Sequence, residues 1–185
     1  MHKKIPNIFT FISEFNKEQI LRLNQNIGII FRNYNENHNK DTISRLRNFC
    51  KKHKRRLYLS NNLKLAINLN LDGAYIPSFN KDLDVKKYKI KNKFLLLGSA
   101  HNIQEIKIKE KQGVDVIFLA PLFKTKNKIG LGINKFNILS KLSIKKIVAL
   151  GGINKKNIYK LNLTDCYGFA GISYFKNVKN EQRTI

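Results

Sequence analysis

Eight short apolar runs, separated by amphipathic or polar stretches, constrain the fold of this chain more than any other feature. They are IPNIFTFI (5–12), GIIFRNY (28–34), RLYLS (56–60), GAYIP (73–77), FLLLGS (94–99), DVIFLAP (115–121), KKIVALGG (145–152) and YGFAGIS (167–173). Each is near-continuous rather than alternating, the mark of strands buried on both faces of a parallel sheet. Helical patterns lie between them. KDTISRLRNFCKKH (40–53) puts Ile43, Leu46, Phe49 and Cys50 on one face. Shorter helices are expected over 17–24, 62–70 (with Leu63, Ala66 and Ile67 on one face) and 134–142. Another is expected over 102–113, opening at an Asn cap and stopping at Gly113. A last one, also with an Asn cap, is expected over 154–163, while 81–90 gives no clear pattern.

Eight βα units predict an α/β chain folded as a compact (β/α)8 TIM barrel, with residues 1–185 as a single domain. The barrel is expected to be somewhat truncated, because 185 residues is short against a typical ~250. The alternative is a doubly wound open sheet. Such a sheet carries a Gly-rich turn after its first strand, and FISEFNKE has none.

The net charge is +24, from 36 basic and 12 acidic residues. A nucleic-acid protein is one reading of that number. Three features oppose it. Lysine far outnumbers arginine, the residue that reads bases bidentately. The lysines run the whole length of the chain. The one dense run, KKHKRR (51–56), falls between a helix-like and a strand-like segment. The expected partners are therefore small polyanions drawn to a cleft, not nucleic acid. Nothing in the sequence specifies an oligomer. No run approaches the ~18 apolar residues of a membrane span, and the N-terminal segment lacks the features of a signal peptide, so the expected location is cytoplasmic. Cys50 and Cys166 are far apart and sit in no ligand spacing, which argues against a disulfide framework or a zinc site.

In a barrel, the site lies at the C-terminal ends of the strands. Those ends supply Arg32, Ser60 and Asn61, Ser78 and Asn80, Ser99 and His101, the stretch from Pro121 to Lys128, Gly151 and Gly152, and Ile172 and Ser173. Barrels often hold phosphate in the loops after the seventh and eighth strands. ALGGIN (149–154) places two glycines before an expected helix start, and GIS (171–173) adds further N–H groups and a hydroxyl. The sixth run discharges into LFKTKNKIGLG (122–132), a loop holding lysines, a threonine and glycines.

Over 94–175 the chain resembles the thiamine-phosphate synthase/TenI family of (β/α)8 barrels. The resemblance rests on SAHNIQEIKIKEKQGVDVIFLAPLFKTKNKIGLG (99–132), VALGGI (148–153) and GFAGIS (168–173). GIIFRNY and LYLSNNLKLAINLNLDGAYI extend it more weakly into the first half. Family synthases join an aminopyrimidine bearing pyrophosphate to a thiazole phosphate. The resemblance implies that Gly151, Gly152, Ile172, Ser173 and Thr125 hold the thiazole phosphate. It implies that Ser99 touches pyrophosphate or ring, and that Lys128 lies between the two anions. Lys128 and Arg32 would be the catalytic charges, with Arg32 also binding substrate as the survivor of a Gln-x-Arg-x-Lys motif.

The departures from the family are specific. The family's Asn-Asp pair appears as Ser60-Asn61, and its second acidic metal ligand falls near Asn80. Mg2+ prefers carboxylate oxygens, so both of its expected positions have lost their charge; Asp82 and Asp84 lie close by. Asn127 stands where synthases usually carry a second Thr or Ser. The catalytic histidine of the sister tautomerases is replaced by Pro121, which leaves His101 as the nearby base. The function expected is a divergent thiamine-phosphate synthase acting on phosphate and pyrophosphate substrates. A non-coupling TenI-type barrel that binds or isomerises thiazole phosphate is the first alternative. A basic nucleic-acid-binding protein is the second.

Overall fold

The computed structural model describes residues 3–34 and 39–176. The side chains of Lys86, Ser173 and Lys176 lie outside that description. Eight parallel strands close into a barrel in chain order: β1 (Ile8–Ile12), β2 (Gly28–Phe31), β3 (Leu57–Ser60), β4 (Gly73–Ile76), β5 (Leu95–Ala100), β6 (Val116–Leu119), β7 (Lys146–Leu150) and β8 (Gly168–Gly171). β8 returns to β1, with Ala170 opposite Phe9. The barrel leaves no open edge for other chains to pair with.

The helices follow the strands: α1 (Lys17–Arg22), α2 (Lys40–Lys52), α3 (Leu63–Asn68), α4 (Ile103–Lys111), α5 (Gly132–Lys141) and α6 (Ser173–Lys176). Asparagine, abundant in this chain, starts four of them. The side chains of Asn16, Asn39, Asn62 and Asn102 each accept a hydrogen bond from a backbone N–H in the first turn, which satisfies a donor the helix cannot satisfy itself. Gly113, at φ +76°, ends α4. The expected face of α2 is buried at Ile43, Leu46 and Cys50, with Phe49 packed beside them.

Two βα units are abbreviated, which is how eight strands fit so short a chain. After β4 there is only a 3-10 turn over Asp84–Lys87. After β7, the helix expected over 154–163 is instead a 3-10 segment over Ile158–Leu163 with no side-chain cap. The reason is local. The Nδ2 atoms of Asn154 and Asn157 both donate to the Gly152 carbonyl, at 3.3 and 2.8 Å, and Asn157 Oδ1 accepts from the Asn154 N–H. These asparagines hold a loop where a cap was expected. Whether the eighth helix extends past Lys176 falls outside the described residues.

Two cores result. One lies between sheet and helices. The other fills the barrel with aromatics: Phe9, Phe11, Tyr58, Tyr75 and Phe118. Phe118 takes Phe9 and Tyr75 edge-on at centroid distances of 4.9 and 5.5 Å. Gly28 makes the space for Phe9, since a Cβ there would come within 2.5 Å of its ring. The barrel is a packed plug, and chemistry is confined to its ends. Among the described residues no helix is long and apolar enough to cross a membrane.

Candidate active site

Parallel closure brings the C-terminal ends of all eight strands to one mouth. On one side, Arg32 follows β2. Its N–H donates to the Ile12 carbonyl at 2.8 Å, and its guanidinium sits 4.6 Å from the centroid of the Phe11 ring, a cation–π arrangement. Phe11 meets Tyr75 edge-on at 5.3 Å. Burial pushes the Tyr75 phenol up to about 12, while a hydrogen bond with Ser99 and the Arg32 charge act against that rise. Ser99 is itself buried on β5. Beside this group the Tyr34 hydroxyl lies 3.0 Å from Ser60 Oγ, and the Tyr34 ring meets Phe79 edge-on at 5.8 Å. Arg32, Tyr75, Ser99, Ser60 and Tyr34 thus form one wall of donors and rings.

The next stretch of rim carries Asn61 and Asn80. Asn80 Nδ2 donates to Asn61 Oδ1 at 2.9 Å, so the two amides are tied to each other. Asn61 takes a left-handed φ of 57°, which asparagine tolerates better than most residues. Asp82 and Asp84 are exposed. Asp82 Oδ1 accepts from the Asp84 N–H, and Asp84 pairs with Lys87 at 2.8 Å. Beneath the loop lies Lys109, fully buried on α4. Its Nζ is 2.7 Å from the carbonyl oxygens of both Pro77 and Asn80, and 2.9 Å from Gln112 Oε1. Burial pushes this ammonium down to about 8, opposed by the charge of Glu105.

The third part of the mouth is a cavity of about 380 Å³ between the loops after β6, β7 and β8. Gly151, Gly152 and Ile172 line it, as does Thr125; the backbone of Ser173 begins α6 next to it. Its cations are Lys124 and Lys126, which sequence reasoning did not single out. Lys128 is exposed and does not line it. The loop folds on itself there: the Lys128 N–H donates to Thr125 Oγ1 at 3.1 Å, and the Thr125 N–H donates to the Lys128 carbonyl at 2.9 Å. The Gly151 carbonyl accepts from the Phe123 N–H at 3.1 Å, which sews the sixth loop to the seventh.

His101 follows β5 and is engaged by Glu105. Its Nδ1 is 2.9 Å from Glu105 Oε2, which also accepts the His101 N–H at 2.8 Å. Among the described residues there is no group of three or more His, Cys, Asp or Glu side chains placed to hold a metal ion. Tyr34, Tyr75 and Lys109 were not singled out from the sequence. Tyr75 is a phenol inside an otherwise apolar strand, and only the closed register turns it toward the barrel interior. Lys109 carries no signal, since it reads as one more lysine of a basic helix.

A family model described as thiamine monophosphate synthase matches residues 18–175. A protein of Aquifex aeolicus, provisionally named thiamine-phosphate synthase 2, is 33% identical over 135 residues, which cover 70% of this chain and 71% of that one. The thiamine-phosphate synthase of Methanococcus maripaludis is 29% identical over 141 residues, covering 74% and 67%. Among solved structures, the thiamine phosphate pyrophosphorylase of Pyrococcus furiosus superposes with a TM-score of 0.73 at 18% identity, over 90% of this chain and 85% of that one. The barrel, the two-glycine turn and the family match over most of its length agree: this chain belongs to the thiamine monophosphate synthase family.

Proposed function

We propose that the chain is a divergent thiamine-phosphate synthase, joining an aminopyrimidine pyrophosphate to a thiazole phosphate. One observation carries the reading. An anion-sized cavity with two lysines and a glycine turn opens on the same mouth as a wall of rings, hydroxyls and a guanidinium. The reaction needs those two halves. Thiazole phosphate would sit against Gly151, Gly152, Thr125, Lys124, Lys126 and Ile172. The pyrimidine would face Tyr34 and Phe79, its pyrophosphate directed to Arg32, Ser99 and Lys128. The thiazole nitrogen forms a bond to the pyrimidine methylene, and the methylene–oxygen bond breaks with its electron pair leaving on pyrophosphate. Fixed positive charge stabilises that developing anion, and holding both rings in one mouth supplies the orientation.

The positions matching the family's metal ligands do not suit Mg2+, which favours carboxylates in near-octahedral geometry. Asn61 and Asn80 are neutral and bonded to each other, Asp84 is paired with Lys87, and a buried ammonium lies against the same loop. No step is therefore assigned to a metal. Those same lost carboxylates favour a second reading, a family barrel that binds or isomerises thiazole phosphate without coupling. A coupling assay with both substrates, run with magnesium and with chelator, separates the two. Turnover that persists in chelator supports the first. Turnover abolished by chelation means that the metal does essential work through groups such as Asp82. Thiazole phosphate binding without coupling under either condition leaves the second reading.

A further inference from the structure

The end of the barrel opposite the mouth carries a larger basic cavity. Its volume is about 820 Å³, inside the ~300–1,000 Å³ range of small-molecule sites. Three separate segments supply its cations, all just ahead of strands: Lys3 and Lys4 before β1, Arg56 before β3, and Lys91 and Lys93 before β5. Lys3 is paired with Asp115 at 2.9 Å, and Lys91 donates to the neutral Asn70 amide at 2.8 Å. Among the described residues Lys4, Lys91 and Lys93 form no ion pair with a carboxylate. One carboxylate, Asp72, lines the cavity, and it is held by the Leu57 N–H at 2.9 Å. Ile90, partly exposed, gives an apolar face, with the buried Tyr58 and Leu95 behind it. The Tyr58 hydroxyl is fully buried beside the Arg56 guanidinium, yet no hydrogen bond of good geometry closes on it.

A lysine-rich composition scatters cations over a surface. It does not by itself create a concavity with an apolar face, five cations and one carboxylate. A neighbouring cavity of about 370 Å³ shares Arg56 and Asp72 and adds four more basic residues between positions 47 and 55, so the local potential is strongly positive. A nucleic-acid duplex tracks an open basic stripe. A nucleotide-sized hollow with an apolar face suits a small molecule better.

We propose that this cavity binds a phosphorylated organic molecule of nucleotide size, with phosphates on Lys4, Arg56, Lys91 and Lys93 and an apolar or aromatic body against Ile90, where Tyr58 and Leu95 back the wall. The site is separated from the mouth by the packed barrel interior and does not depend on the function proposed above.

Calorimetry tests it on the full chain carrying Arg32→Ala and Lys128→Ala, which removes the charges proposed to hold pyrophosphate at the mouth, with ADP and inorganic pyrophosphate as probes at about 0.15 M ionic strength, where exposed charges are screened beyond ~8 Å. ADP should bind at least about tenfold more tightly than pyrophosphate, because only ADP covers the apolar face. The exposed pair Lys4→Glu and Lys93→Glu together should weaken ADP by about tenfold or more, whereas Lys124→Ala with Lys126→Ala at the mouth should change it by less than about twofold. Equal affinity for the two probes, no measurable ADP binding, or sensitivity to the mouth pair instead would overturn the proposal. So would a single-stranded oligonucleotide that binds through Lys4 and Lys93 while ADP does not, since the surface would then serve a polymer.

Discussion

The Nζ of Lys109 lies 2.7 Å from the carbonyl oxygen of Pro77, so a helix on the outside of the barrel grips the loop after β4 from beneath. Gln112, one turn on, donates to the carbonyls of Asn80 and Asp82 at 3.1 and 2.8 Å. Gly98 leaves room for the lysine stem, since a Cβ there would come within 2.9 Å of its Cδ. A buried ammonium is costly unless its donors are matched; here three acceptors surround it.

Lys109→Met keeps most of the volume and removes the donors; the Pro77 and Asn80 carbonyls keep one donor each, the Asn80 N–H and Gln112 Nε2, while the buried Gln112 Oε1 loses its own. The expected loss is about 2 kcal/mol, read as a lower urea midpoint. The pH dependence has a defined sign. The folded value is about 8 against an ordinary 10.5, so between those limits the unfolded chain holds the proton that the folded chain releases. Wild-type stability should therefore rise relative to Lys109→Met as pH climbs from about 8 to 10.5, by up to roughly 1.4 kcal/mol for each pH step of one crossed inside that window. A constant difference across it would mean that the three acceptors hold the proton in place.

Gly152 is expected to affect both fold and binding. Its φ is +73°, and an added Cβ would meet the carbonyl oxygens of Phe123 and Lys124 at 2.6 and 2.7 Å. Gly152→Asp should therefore displace the sixth loop as well as place like charge beside the anion. Thiazole phosphate affinity should fall more than about tenfold. Gly152→Ala, with no charge, should still lower the thermal midpoint through the strained backbone, costing of order 1–3 kcal/mol. A Gly152→Ala protein as stable as wild type would show that the loop yields freely.

The barrel was legible because its signals are local. Apolar runs of strand length, Asn caps and Gly113 each act within a few residues, and the order of βα units does the rest. The glycine turn at 151–152 and the GIS end were legible for the same reason. Lys109 was not, because its partners lie on a loop about thirty residues earlier and a helical lysine reads as solvated. Tyr75 was hidden in GAYIP because a fully buried strand does not announce which side chains face the barrel interior; the closed register decides that. Lys124 and Lys126 face the cavity, rather than Lys128, because Thr125 and Lys128 bond each other and turn the loop. A flat sequence cannot show that turn.

That turn separates the roles of the three lysines. Lys124→Ala and Lys126→Ala together should weaken thiazole phosphate binding by about tenfold with little effect on kcat once substrate saturates. Lys128→Ala should leave that binding nearly unchanged and lower kcat by roughly 10²-fold or more if its charge meets the leaving group. Lys128→Arg should keep part of the rate, because a point charge is what the leaving group requires. If Lys128→Ala instead raises KM for thiazole phosphate and spares kcat, Lys128 belongs to the phosphate end.

Tyr75 offers the last test, because its burial makes a directional demand. The phenol is pushed up to about 12 from 10.0, so it stays protonated and able to donate throughout the range in which such an enzyme works. It should contribute no basic limb to the rate profile below about pH 10, its ordinary ionisation point. Tyr75→Phe removes the donor while keeping the ring that packs against Phe11 and Phe118. It should lower kcat/KM by about tenfold, because Ser99, proposed to meet the pyrophosphate, loses its phenolic partner. Stability gives an independent reading. Above pH 10 the unfolded chain loses the phenolic proton before the folded chain does. Wild-type stability should therefore fall relative to Tyr75→Phe between about pH 10 and 12, opposite in sign to the Lys109 window. Urea midpoints for the two proteins that stay parallel through that range would mean that the phenol reaches water, and the mouth would then be wetter than its packing indicates.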